Sequence, residues 1–220
     1  MSRETLDRLE NELMDDLIEL CSMVIQSTLD SVAALKNRDI SASRKIYDRD
    51  ELINQKRFAI ENDTITAIAT QQPMATDLRV LTSILEISIE LERMGDYAKG
   101  IAKINIRLGE DSLLKPLVDI PIMAEYATQM LHQALNAFIE QDIEQSLAIC
   151  AQDDKIDKLY KKVYRDLIEI VVKDPSTADK ANFLLWAAHY LERLGDRVTN
   201  ICERTIYVKT GELTDISDSL

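Results

Sequence analysis

Leu91-Glu92-Arg93-Met94-Gly95-Asp96 returns 100 residues later as Leu191-Glu192-Arg193-Leu194-Gly195-Asp196, with Met exchanged for Leu and nothing else changed. Two copies of Leu-Glu-Arg-x-Gly-Asp mark an internally duplicated chain. Each copy lies in helix-period sequence, so its Glu and Asp form an i,i+4 pair, roughly 5–6 Å apart at Cβ on one helix face. Like charges at that spacing cost about 0.3 kcal/mol, and a Gly inside a helix costs about 1 kcal/mol relative to Ala. A choice that is locally unfavourable and made twice points to a compensating group. The simplest is a cation shared by the carboxylates, with Gly leaving room for close approach. The competing reading is a solvated acidic face that holds nothing.

Working outward, the apolar residues keep a period of about 3.6 almost without break. The first helix is expected over Arg3 to Lys36, with Leu6, Leu9, Leu13, Leu17, Leu20, Val24 and Leu35 as its apolar stripe. Asp39 caps a second helix from Ile40 to Thr70, which carries Ile46, Ile53, Ile60 and Ala67 at heptad spacing and stops before Pro73. A third runs from Met74 to Leu108 and holds the first motif; Gly109 ends it. The stretch 109–120, with Gly109 and Pro116, reads as the linker. Beyond it, helices are expected over Pro121–Glu140, from the Asp142 cap to Val172, and over Thr177–Lys209, the last holding the second motif. Asp39 and Asp142, Ile46 and Ile149, Asp50 and Asp153, and Ile53 and Ile156 are each 103 residues apart, so the halves match beyond the motif. Long helices on short loops pack antiparallel. The fold class is therefore all-α: two tandem antiparallel three-helix bundles related by duplication, with units 1–112 and 113–220.

Composition agrees. Hydrophobic residues make up 46%, charged residues 30% and aromatics 5%, and the chain holds 5 Gly and 4 Pro. That balance suits long helices rather than a β-sandwich. A net charge of −13 excludes a phosphate-tracking nucleic-acid surface and suits cations or basic protein faces. No apolar run is expected to span a bilayer, and the N-terminus lacks a signal segment, so a cytoplasmic protein is expected. Cys21, Cys150 and Cys202 read as reduced core cysteines. Neither Cys nor His spacing suggests a zinc site, no Ser-His-Asp set can be assembled, and no glycine loop cradles phosphate. His132 and His189 read as satisfied or exposed, and Trp186 as core or interface.

On a wheel of helix 3, Val80, Ile84, Ile87, Leu91, Met94, Ala98 and Ile101 form the core face, and Glu92 lies roughly 120° around from it. Asp96 lies a little further, so the motif acids occupy an outer flank. Asp153 and Asp157 form a second i,i+4 pair, matched in the first half by Asp50 and Asn54. Two grooves follow: Asp153, Asp157, Glu192 and Asp196 in the second half, and Asp50, Asn54, Glu92 and Asp96 in the first. Oxygen-only donors suit Mg, Ca, Mn or Fe. The first groove, with Asn54, carries less charge and is expected to bind more weakly.

The doubled Glu-Arg-x-Gly-Asp, Gln71-Gln72-Pro73-Met74-Ala75-Thr76-Asp77-Leu78-Arg79 and Asp153-Asp154-Lys155-Ile156-Asp157 together resemble the PhoU family, from the first helix to Tyr207. The resemblance implies two similar three-helix bundles. It also implies a cytoplasmic negative regulator of phosphate uptake and of phosphate-starvation transcription. Such a protein would act by contact with the ATPase subunit of a phosphate ABC transporter and with a membrane sensor histidine kinase. It would meet the membrane only through those partners. A homodimer is expected, and no enzymatic activity. By the same resemblance, Asp50, Glu92 and Asp96, and Asp153, Asp157, Glu192 and Asp196, are ligands of metal ions (Fe, Mn, Mg or Zn), with Asn54 departing from the acidic pattern. Two alternatives stand beside this reading. One is a metal-free helical adaptor. The other is a di-metal carboxylate oxidase, disfavoured because no Glu-x-x-His occurs and the acids point outward.

Overall fold

The computed structural model describes residues 3–109 and 111–213. Met1 and Ser2, Glu110 in the linker, and residues 214–220 lie outside the described residues. Among those described, seven α-helices and one short 3-10 turn account for the regular structure: α1 (Arg3–Asn37), α2 (Ile40–Gln71), α3 (Thr76–Leu108), α4 (Asp119–Glu140), α5 (Ile143–Cys150), α6 (Asp153–Lys173), the turn Pro175–Thr177 and α7 (Ala178–Thr210). The all-α reading holds.

The duplication is visible in the backbone. Arg38 and Gln141 both adopt the left-handed conformation, at φ 58° and 52°. The next residues, Asp39 and Asp142, cap α2 and α5 by accepting from the amides of Ala42 and Gln145, at 2.8 and 2.9 Å. Such caps satisfy amides that have no partner within the helix. Around the motifs, residues 91–100 and 191–200 show the same order of buried, half-buried and exposed positions.

α1, α2 and α3 form the first bundle; α4, α5 with α6, and α7 form the second. Ile46, Ile53, Ile60 and Ala67 are all buried on α2, one every second turn, as a coiled-coil seam requires. α1 is the one described helix apolar and long enough to cross a bilayer by composition. Its stripe of Leu6, Leu13, Leu17, Leu20, Val24 and Leu35 is instead buried within the bundle. The sequence reading of no such stretch is corrected to that extent.

Most boundaries shift by one or two residues, and two departures have a local cause. α4 begins at Asp119 because Pro121 falls in the first turn, where its missing N–H costs nothing. The helix expected from the Asp142 cap to Val172 is two helices, broken at Ala151-Gln152. The break follows Cys150, which meets Cys202 of α7, and α6 restarts with Asp153-Asp154, acids favoured at a helix N-terminus.

α3 and α7 lie side by side and join the two bundles into one continuous core. Across this seam Tyr97 and Tyr190 stack at 5.7 Å. Arg197 donates to the Tyr97 hydroxyl at 2.7 Å and to Glu90 at 2.7 Å. Trp186 is 48% exposed, not core, and packs edge-on against His189. Gly100 is the point of closest approach: a Cβ there would meet the Tyr190 ring at 2.6 Å. Tyr190 is held between Tyr97 and Trp186 and has little freedom to yield. Gly100→Ala gains about 1 kcal/mol of helix propensity and loses about 1–3 kcal/mol to overpacking. A net loss of about 1 kcal/mol is expected, read as a lower urea midpoint at unchanged m-value.

Candidate functional site

The break before α6 decides the second groove. Asp153 opens α6, and its carboxylate lies directly over Gly195 of α7. A Cβ at 195 would overlap Asp153 Oδ1 and meet Ile156 Cδ1 at 2.9 Å. The motif glycine therefore admits the neighbouring helix's carboxylate. In the first half the same role is apolar: a Cβ at Gly95 would meet Ile53 at 3.1 Å. The sequence reading had the glycine making room for an ion; what approaches it is a side chain of the adjacent helix.

Asp157 stands one turn beyond Asp153, and Glu192 and Asp196 one turn apart on α7, so each feels the others. Burial pushes the Asp153 carboxyl up to about 7, with Asp196, Asp157, Glu192 and Asp154 adding to it. Burial also pushes Glu192 up to about 7, reinforced by Asp196 and Asp157 and partly opposed by Arg193 and Lys161. Asp196 is raised by burial and then by Asp157. Asp153 Oδ1 and Glu192 Oε2 are buried without a hydrogen-bond partner. His189 Nδ1 stands 3.1 Å from Glu192 Oε2 but outside hydrogen-bond geometry. Burial and Arg193 lower the His189 pKa, so it is neutral near pH 7 and supplies no charge.

The first groove repeats the frame with different electrostatics. Asp50 is 3% exposed, and Lys99 Nζ reaches its Oδ2 at 2.6 Å. Glu92 is raised by burial and by Asp96, with Arg57 opposing. Asp96 is raised by burial and by Asp50, with Lys99 opposing. Asp50 Oδ1 and Asn54 Oδ1 are buried without partners. The seven acids expected from the sequence interact within their own halves, three in the first and four in the second, and Asn54 stands one turn beyond Asp50 on α2. Sequence reading missed Lys99 and Arg57. Aligning the halves on the motif and on Asp50/Asp153 would have found them, because Lys99 answers to Thr199 and Arg57 to Tyr160.

Among the described residues, no three His, Cys, Asp or Glu side chains converge into a ready-made metal cage. The acids of each groove are neighbours in field but not yet in coordination geometry.

A duplicated pair of three-helix bundles, each carrying clustered acids where its motif helix meets the adjacent helix, defines an all-α protein of two like halves. The PhoU domain model matches residues 17–104 and 120–205, and the chain belongs to the PhoU family. It is 34% identical over 219 residues to the phosphate-specific transport system accessory protein PhoU homolog of Clostridium acetobutylicum, covering 99% of this chain and 100% of that one. Against the Escherichia coli K12 accessory protein PhoU it is 32% identical over 190 residues, covering 86% of this chain and 79% of that one. The crystal structure of the phosphate transport system regulatory protein PhoU from Streptococcus pneumoniae superposes with a TM-score of 0.88 at 31% identity, over 96% of this chain and 99% of that one.

The donors of the second groove have the chemistry, though not the assembled geometry, that a hard divalent cation takes. They are all carboxylate oxygens, two of them are buried and unpartnered, and Lys161 meets only Asp157, at 3.5 Å.

Proposed function

We propose that this chain is a cytoplasmic negative regulator of a phosphate ABC transporter and of phosphate-starvation transcription. It works by contact with the transporter ATPase and a sensor histidine kinase, and meets the membrane only through them. The observation that carries this is the likeness, over nearly the whole chain, to relatives named as phosphate transport accessory or regulatory proteins. Surface chemistry supports contact rather than catalysis. α2 exposes Leu52, Phe58 and Ile65, and a groove of about 560 Å³ between α1 and α2 is lined by Met23, Ile46 and Leu52. In this reading Asp153, Asp157, Glu192 and Asp196 hold a divalent metal, which supplies the positive charge their buried oxygens lack.

Capture of the ATPase subunit or the kinase from source lysate tests the reading. Deletion of the gene should switch a phosphate-starvation reporter on in high phosphate; a reporter that stays silent overturns it. The missing ready-made cage favours a second reading, a metal-free adaptor of the same partners. Melting with and without EDTA separates the two.

A further inference from the structure

Resting on the metal reading of the second groove, we propose that the two grooves are chemically unequal: the first is neutralised by the chain's own Lys99 and is closed to metal, so metal ions bind in the second half. The ammonium stands where a cation would. It bonds Asp50 Oδ2 at 2.6 Å, lies i,i+3 from Asp96 on the same helix, and sits 5.2 Å over the Tyr47 ring. Asp50 is the most deeply buried acid of either groove, at 3% exposure, and its charge is the one that most needs a partner. Arg57 adds a second positive charge beside Glu92 while pairing with Glu61 at 2.5 Å.

Neither cation has a counterpart. Thr199 stands at the position of Lys99, Tyr160 at that of Arg57, and Asp157 replaces Asn54. With Glu61, the partner of Arg57, included, the first groove has four acids and two bases; the aligned positions of the second have four acids and no base. The basic groups near the second groove stand at its rim. Lys161 reaches Asp157 at 3.5 Å with its side chain 70% exposed, and Arg193 is turned to the Tyr97 hydroxyl at 3.2 Å. A mobile surface pair of that kind contributes little and yields readily to a divalent ion. Displacing Lys99 would instead force an ion to replace a short, half-buried charged hydrogen bond. Asp50 Oδ1 and Asn54 Oδ1 remain unpartnered, but they belong to a groove whose innermost charge is already matched.

Mn2+ uptake by chelator-stripped protein, measured by equilibrium dialysis and elemental analysis, tests the assignment in three chains. Wild type is expected to take up ions. D153N/D157N/E192Q/D196N, its folding checked by circular dichroism, is expected to take up none. N54D/K99T, its folding checked by circular dichroism, is expected to take up a second complement equal to the first. Ions retained by the second-groove variant overturn the proposal, as does an N54D/K99T chain that binds no more than wild type. A wild-type chain that takes up nothing refutes the metal reading of the second groove alone. The comparison still decides the role of Lys99, since N54D/K99T must then bind where wild type does not.

Discussion

Metal-stripped protein is expected to melt about 5 °C higher at pH 5.5 than at pH 8, and Asp153→Asn should abolish about half of the difference by raising the pH 8 value. The sign follows from Asp153 and Glu192, both pushed up to about 7 in the folded chain. Unfolded, both carboxyls titrate near their ordinary values of 3.8 and 4.5. Between those limits the folded state holds more protons than the unfolded one, so stability falls as pH rises and is lowest above pH about 7. This is opposite to the usual carboxylate, which a folded protein stabilises in its charged form. Both groups keep contact with solvent, which screens the repulsion, so about 2 kcal/mol of net difference is expected rather than the full value of the shifts. In a chain of this size that corresponds to about 5 °C. A divalent cation at pH 8 should raise the melting point and flatten the profile, because it removes the repulsion that the protons otherwise relieve. Differential scanning calorimetry across pH, with and without EDTA, reads both effects. A profile that rises from pH 5.5 to pH 8 in EDTA refutes the picture of crowded, uncompensated acids.

The sequence disclosed the frame of this molecule more fully than its charges. The doubled motif, the paired caps Asp39 and Asp142, and the seven-residue spacing of Ile46, Ile53 and Ile60 are local signals, and each has its expected consequence in the structure. The outward flank of Glu92 and Asp96 followed from helical arithmetic alone. The break at Ala151-Gln152 did not show, because no Gly or Pro interrupts the period there. Its one trace is Asp153-Asp154, a pair suited to a first turn but equally ordinary on a helix surface. Lys99 was hidden for a different reason. Its partner Asp50 lies 49 residues away on another helix, and a lysine on a helix is the commonest of surface residues. The seam contacts of Arg197 with Tyr97 and Glu90 are likewise set by how two distant helices meet. What escaped the sequence is thus a set of pairwise encounters between helices, which periodicity does not encode.

One such encounter carries the largest expected effect of a single substitution. Lys99→Met keeps the apolar stem and removes the ammonium, leaving Asp50 at 3% exposure with neither oxygen paired. Breaking a buried pair from one side costs about 3–5 kcal/mol, because the stranded charge retains its desolvation penalty. The lysine side chain is 31% exposed, so water can partly follow it in and the lower end, about 3 kcal/mol, is expected. Asp50→Asn/Lys99→Met removes both charges and should recover most of the loss. The double-mutant cycle should then show a coupling of about 2 kcal/mol or more, against less than about 1 kcal/mol for a surface pair. The second half offers the converse test. Thr199→Lys places an ammonium at the position that answers to Lys99, beside acids that have none. At pH 8 in EDTA it should stabilise the protein, whereas almost any other Thr→Lys exchange on a half-buried helix face would destabilise it. A Lys99→Met chain that loses less than about 1 kcal/mol, together with a Thr199→Lys chain that gains nothing, would show that the ion pair with Asp50 is an ordinary surface contact. If both effects appear, Lys99 offsets in the first half an acid crowding that the second half leaves uncompensated.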